Sequence, residues 1–267
     1  MKTVLITGGT SGIGKALAEV FAKNKFRVII TGRDENRLRV TYEELSEMGT
    51  EIHTIKCDVS REEDVKNLYL KVHTLTDSLD ILVNNAGISM RALFQELDLK
   101  VIREVMDINF WGTVYCTNYF LKDILNSKGS IIVISSGAGL RGIPARTGYS
   151  ASKFALHGFF ESLRTELLYK GVHILLACPG YTASNIRKSA LNGKGVAQGE
   201  TPLEESKLMS AERVAEIIFK AWKNKKKLLL ISREVKFIRL VNFLFPSWMD
   251  SITFNHIARE KGTALKV

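Results

Sequence analysis

The sequence predicts an α/β fold: one doubly wound parallel sheet with helices on both faces, followed by a helical C-terminal extension. Short apolar runs alternate with helix-length amphipathic segments along most of the chain, as parallel βαβ units require. The first run passes directly into a glycine turn and then a helix. Polar and glycine clusters close the runs, at the carboxyl edge where such sheets bind ligands. At 267 residues the chain is read as a single domain, residues 1–267.

Lys2 to Thr7 reads as a buried strand that runs into Gly8-Gly9-Thr10-Ser11-Gly12-Ile13-Gly14 and a helix from Ala16 to Ala22. Free backbone N–H groups at such a helix start bind phosphate, which makes this a nucleotide site. Gly9 to Gly14 followed by Lys15 also fits most of the phosphate loop of nucleotide hydrolases, but Ala16 lacks the hydroxyl that would hold magnesium. Phe26 to Thr31 is the second strand, and it ends Gly32-Arg33-Asp34. A site built for NAD places an acid near this position to bind the ribose 2′-hydroxyl. Glycine followed by the Arg33 guanidinium suits a 2′-phosphate better, so NADP(H) is the expected cofactor, with Asp34 capping the next helix.

That helix runs from Glu35 to Met48, followed by a strand from Glu51 to Cys57, a helix from Glu62 to Thr76 and a strand from Leu79 to Asn84. Asp58-Val59 and Asn84-Asn85-Ala86-Gly87 stand at two ligand-binding strand ends, although the same residues also make ordinary turns. A long helical region from Asp98 to about Asn126 changes character at Asn109-Phe110-Trp111-Gly112. Gly129 to Ser135 is a strand closing on Ser135-Ser136-Gly137. After a loop comes a helix from Gly148 to Tyr169, and Val172 to Ala177 ends in Cys178-Pro179-Gly180. A helix from Ala211 to Asn224 and a strand from Lys227 to Ser232 complete the sheet. From Arg233 to Met249, Phe237, Leu240, Val241 and Leu244 recur at helical spacing. Such a stripe is expected to be buried against the chain or a second subunit, with an anionic membrane surface as the alternative.

The net charge is +10, but between Lys220 and Arg239 eight Lys or Arg face the single acid Glu234, a local +7. A localised excess of this kind points to a solvated face and away from nucleic acid. Cys57, Cys116 and Cys178 are odd in number and widely spaced, which disfavours a disulfide framework or a zinc site and predicts buried thiols. The five histidines show no metal spacing, and no metal is expected. No apolar run is long enough to span a bilayer, and no secretory signal is evident at the start, so the expected location is cytoplasmic. Phe94, Trp111, Phe159 and Phe160 are expected in the core or at subunit contacts.

Tyr149-Ser150-Ala151-Ser152-Lys153 carries the chemistry. A helix puts Tyr149 and Lys153 on one face, where an ammonium favours the phenolate and lowers a phenol pKa that is otherwise too high for neutral pH. With these motifs the chain resembles the short-chain dehydrogenase/reductase family over about Lys2 to Gly180, with weaker continuity to Ile231. Thr7 to Gly14 matches the family's T-G-x-x-x-G-x-G, Asp58 its adenine-contacting acid, Asn84 to Gly87 its N-N-A-G, and Pro179-Gly180 its P-G. The catalytic serine thirteen residues before the tyrosine is Ser136, and the asparagine forty residues before it is Asn109. Four residues after the P-G glycine stands Ser184.

The resemblance implies a Rossmann-like oxidoreductase that moves hydride between NADP(H) and a carbonyl or secondary alcohol. Tyr149 would be the proton donor or acceptor, Ser136 would hydrogen-bond the substrate oxygen, and Lys153 would bind the nicotinamide ribose and tune Tyr149. Asn109 would hold a water linking Lys153 to solvent. Cofactor contacts are expected from Gly8, Thr10, Ser11, Gly12, Ile13 and Gly14 in the glycine turn. Further contacts are expected from Arg33, Asp58, Val59, Asn85, Ala86 and Gly87, then from Tyr149, Lys153, Pro179 and Gly180. Residues 1–180 would form the cofactor and catalytic core, 181–210 a substrate lid and 233–267 the extension. A homodimer or homotetramer is expected, and the lid with its apolar tail suggests a lipid- or steroid-like substrate. The alternative function is a catalytically silent NADP(H)-binding redox sensor, whose usual mark is a broken catalytic set; here Asn109, Ser136, Tyr149 and Lys153 are all present.

Overall fold

The computed structural model describes residues 1–267 except positions 202, 205–207, 261, 264, 266 and 267. The first group belongs to the expected lid and the second to the C-terminal extension, so those parts of both expectations lie outside the described residues. The chain begins β1 (Thr3–Ile6), α1 (Gly12–Lys23), β2 (Arg27–Gly32), α2 (Glu35–Ser46), β3 (Ile52–Lys56), α3 (Glu62–Leu75) and β4 (Ile81–Asn84). It continues with α4 (Leu99–Met106), a π-helical turn at Asp107–Trp111, α5 (Gly112–Asn126), β5 (Ser130–Ile134), α6 (Thr147–Glu166) and β6 (His173–Cys178). The last elements are α7 (Ala211–Lys223), β7 (Leu228–Leu230), α8 (Arg233–Leu244) and α9 (Pro246–Ala258).

The sheet has the order β3-β2-β1-β4-β5-β6-β7, every pairing parallel. Its central strands are near-continuous apolar runs because both faces are covered, whereas the edge strand β3 carries His53, Thr54 and Lys56. Alternate side chains serve the two sides: Val4 and Ile6 join a core under α1 and α7, whereas Leu5 joins the one under α3, α5 and α6. The chain reverses direction of winding between β1 and β4, so the crevice at their carboxyl ends is the switch point where such sheets take ligands.

Two expectations are refined by this architecture. The change of character near Asn109 is the π turn, which offsets α5 from α4 without ending the helical path. Within its own chain the expected C-terminal stripe is largely left uncovered. Val235 and Val241 are the buried residues of α8, while Phe237, Leu240 and Leu244 are exposed. Pro246 cannot continue α8 and instead opens α9 at its first position. The α8 face that packs is the one turned to the sheet edge, where Val235 lies against Gly137 and Ser232 against Gly180.

Candidate active site

The glycine turn is shaped by steric necessity. Gly12 has φ +52°, which disfavours any residue with a side chain. At Gly14 an added Cβ would lie 2.3 Å from the Gly8 carbonyl oxygen and 2.4 Å from Asn85 Nδ2, so only glycine lets α1 approach this closely. Ser11 is the N-cap of α1 with an extended backbone and no side-chain cap bond, leaving the first-turn N–H groups to a ligand. Thr10 stands against Gly32 at the end of β2. Ile13, in contrast, packs against the core under α1 and α7.

Around this turn the next strand end is tied in place. Thr7 Oγ1 accepts from the backbone N–H groups of Asn85 and Ala86, each at 3.0 Å. Asn85 Nδ2 donates back to the Thr7 and Gly8 carbonyls at 2.9 and 3.0 Å. At the end of β3, Asp58 Oδ1 accepts from the Ser60 N–H at 3.0 Å and from its hydroxyl at 2.7 Å. Val59 is buried against Gly112 of α5. Asp34 caps α2 by accepting from the Arg37 N–H at 3.1 Å, as expected from the sequence. Exposed Arg33 makes no ion pair among the described residues. A glycine cradle that a Cβ would fill, uncapped N–H groups above it and a guanidinium at the end of β2 suit a dinucleotide with a 2′-phosphate.

Asn109 sits in the π turn at 0% exposure. Its Nδ2 donates to the Ile88 carbonyl and to Ser152 Oγ, both at 2.9 Å, while Oδ1 accepts from the Ile88 N–H at 2.8 Å. The side-chain amide is thus committed to clamping the segment after Gly87 onto α6. The water-holding role expected of it would use acceptor capacity left on Oδ1 or on its backbone carbonyl, to which Thr113 Oγ1 donates at 2.9 Å.

Ser136 follows β5 by two residues, accepts from the Ala138 N–H at 3.1 Å, and stands near enough to Tyr149 to favour its phenolate. Lys153, 4% exposed, donates from Nζ to the Ile134 carbonyl at 2.9 Å and lies 5.7 Å from the Tyr149 ring centre. Burial pushes the Lys153 ammonium down to about 8. For Tyr149 burial raises the phenol pKa; the Ser136 hydroxyl and then the Arg146 and Arg187 charges oppose it. One of the lysine's three N–H donors is directed at a backbone carbonyl, and the Arg146 and Arg187 charges add to the field at the phenol. Pro179 and Gly180 close β6, with the Pro179 carbonyl accepting from the Gly137 N–H at 3.2 Å, so both loops meet beside Ser136.

The segment expected as a lid is stitched to the chain after β4. Arg91 N–H donates to the Leu191 carbonyl at 2.8 Å, Leu191 N–H to Ser89 at 2.9 Å and Asp98 N–H to Gly193 at 2.9 Å. Leu191 joins Met90, Leu97 and Val101 in a small apolar cluster against which Tyr149 packs. Sequence reasoning missed Thr7, Arg146, Arg187 and Ser152. Thr7 opens the glycine motif and was open to detection there. The others carry no spacing signal, because only the fold brings them to Tyr149 and Asn109. The three thiols are buried and free, with burial pushing Cys57 and Cys178 up to about 12.

A sheet of this topology, with a phosphate turn at its switch point and a Ser/Tyr/Lys set at the same edge, defines a dinucleotide-dependent class of protein. A sequence model of the short chain dehydrogenase family matches residues 2–195, and the chain belongs to that family. It is 36% identical over 236 residues to dehydrogenase/reductase SDR family member 7B of Xenopus laevis, covering 86% of this chain and 73% of that one. It is 32% identical over 251 residues to 11-beta-hydroxysteroid dehydrogenase-like 2 of Arabidopsis thaliana, covering 93% and 79%. Among solved structures, a short-chain dehydrogenase from Sphingobium yanoikuyae in complex with NADPH superposes with a TM-score of 0.78 at 21% identity, covering 100% of this chain and 99% of that one. An alcohol dehydrogenase from Thermococcus sibiricus complexed with 5-hydroxy-NADP gives a TM-score of 0.77 at 24% identity, covering 86% and 96%.

Proposed function

We propose that this protein is an NADP(H)-dependent oxidoreductase that interconverts a carbonyl and a secondary alcohol on a hydrophobic, lipid- or steroid-like substrate. The observation that carries the reading is the convergence of Ser136, Tyr149 and Lys153 beside the glycine turn. Bound NADPH would supply the hydride. Tyr149 would give its proton to the substrate oxygen as negative charge develops there, with Ser136 donating a hydrogen bond to the same oxygen. Lys153 would hold the ribose hydroxyls, exchanging its Ile134 carbonyl partner for them in part. The apolar cluster of Met90, Leu97 and Leu191 beside Tyr149, and the hydroxysteroid dehydrogenase relative, support the substrate class.

NADPH consumption with a panel of ketones, aldehydes and quinones tests the proposal. Turnover with at least one apolar ketone is expected; NADPH binding without turnover across the panel would make the protein the silent sensor instead. Arg33 supplies the cofactor prediction. A charge-assisted hydrogen bond contributes about 1.5–3 kcal/mol, so Arg33→Ala should lower the NADPH-over-NADH preference in kcat/KM by about 10–100-fold. An unchanged ratio would remove Arg33 from the site.

Association as a homodimer or homotetramer is supported by an aromatic ridge at the start of α5 and on α6. Trp111 and Phe154 are each 45% exposed there, and Trp111 stacks on Tyr115 at 5.8 Å. Phe160, by contrast, is fully buried core. The C-terminal elbow has a different character. Leu240, Leu244, Phe245 and Trp248 are exposed and Phe243 is 83% exposed, next to the +7 segment. A two-fold interface would set that charge against itself, whereas an anionic bilayer complements it and accepts the aromatics. Among the described residues no helix is long and apolar enough to cross a membrane, so contact would be peripheral. The protein should sediment with phosphatidylserine vesicles and be released by high salt, and Phe243→Asp should weaken the binding. Equal recovery with and without vesicles would reject the lipid reading.

A further inference from the structure

The C-terminal extension reaches the catalytic region through one buried carboxylate. Glu260, just beyond α9, is 7% exposed. Arg146 Nη2 donates to both of its oxygens, at 3.1 and 2.8 Å, and Arg91 Nη2 lies 3.6 Å away. Tyr181 lies near enough for the same carboxylate's charge to act on its phenol. These partners come from three separate loops. Arg91 follows the turn after β4, Arg146 caps α6 three residues before Tyr149, and Tyr181 directly follows Pro179-Gly180. A carboxylate this deep persists only when paired, so its position is fixed by all three loops and in turn holds them.

We infer that Glu260 is a positioning residue for proton transfer: it seats Arg146 beside Tyr149 and moderates the charge that Arg146 presents to the phenol. The inference rests on the reading of Tyr149 as proton donor. The groups facing Glu260 are Arg91, Arg146 and Tyr181, with His256 of α9 stacked on the Tyr181 ring at 6.2 Å. Those facing Tyr149 are Ser136, Arg146, Arg187 and Lys153. Arg187 is anchored separately, donating to the Thr182 carbonyl at 2.8 Å. Of these named charges, Glu260 is the one carboxylate, and it pairs directly with Arg146. The extension therefore contributes to the chemistry although it holds none of the reacting groups.

The sign follows from electrostatics. Glu260→Gln keeps the shape of the side chain and deletes its charge, leaving the Arg146 cation uncompensated beside Tyr149. The phenolate is then favoured. The pH limb governed by Tyr149, rising for alcohol oxidation and falling for carbonyl reduction, moves to lower pH by about 0.5–1 unit. Arg146→Met moves the same limb to higher pH, and Glu260→Asp, which retains the charge, restores most of the parent profile. A loss of packing alone lowers thermal stability and leaves the limb where it was. The experiment is the pH profile of kcat/KM for the parent, Glu260→Gln, Glu260→Asp and Arg146→Met, with Tyr149→Phe beside them. If Glu260→Gln does not fold, Arg146→Met carries the test with the opposite sign. Opposite movements in the two variants support the inference; a limb that stays in place or moves the other way overturns it. An active Tyr149→Phe enzyme would instead remove the underlying assignment of the proton donor.

Discussion

Tyr149→Phe should reduce NADPH-dependent carbonyl turnover by about 10²–10⁴-fold, the contribution of a positioned general acid. The substitution keeps the ring, the α6 helix and the apolar contacts with Met90 and Leu191, and removes only the hydroxyl. Folding and NADPH binding should therefore stay close to the parent, which separates a chemical loss from a structural one. The loss should appear in kcat and kcat/KM together, because the missing proton transfer belongs to the transition state. Steady-state rates with the best ketone of the panel, alongside NADPH titration by fluorescence, make the comparison. A Tyr149→Phe variant with parental kcat would refute the assignment of Tyr149 as donor.

The surroundings of Tyr149 explain why the hydroxyl needs this much support. Burial opposes the phenolate, and the Ser136 hydroxyl with the Arg146 and Arg187 charges works against that opposition. Lys153, also disfavoured as a cation by burial, has one of its three N–H donors directed at the Ile134 carbonyl. The spacing of Tyr149 and Lys153 was legible in the sequence because the chemistry demands two residue types one helical turn apart. Arg146 lies three residues from Tyr149, but nothing in its neighbourhood marks it as more than a loop arginine. Its importance comes from Glu260, 114 positions away, and no local pattern encodes such a contact.

The same distinction runs through the fold. Strands β1 to β6 were readable to within one or two residues because the buried central strands are near-continuous apolar runs and the edge strand β3 still has Ile52 and Ile55 between helix-length segments. The start of α1 was not, since Gly12 to Lys15 carry no apolar periodicity yet already belong to the helix. The face of α8 that packs within the chain was not readable for a related reason. Apolar residues occupy more than one face of that helix, and hydrophobic pattern alone does not say whether Val235 and Val241 or Phe237 and Leu244 meet the sheet. Pro246 marked the break; the burial of one face had to come from the docking of α8 on Gly137 and Gly180.

Phe21→Ala should produce the largest loss of stability among simple core truncations. Phe21 is fully buried at the end of α1, edge-on to Phe26 and Phe219 at 5.1 Å each and to Trp222 at 5.6 Å. It is the residue through which α1, β2 and α7 meet. Truncating such a ring costs about 3–5 kcal/mol from lost transfer energy and the cavity left behind, which for a chain of this size lowers Tm by roughly 6–20 °C. The glycine turn lies at the opposite end of α1, about 15 Å away at 1.5 Å per residue. NADPH affinity in the folded protein should therefore be nearly unchanged. Saturating cofactor stabilises parent and variant alike, by about 2.7 kcal/mol at a hundred times Kd, so the gap between their melting curves should persist when NADPH is added. A gap that widens with NADPH would mean that the aromatic cluster also holds the phosphate turn in shape, and that stability and cofactor binding share one end of the helix.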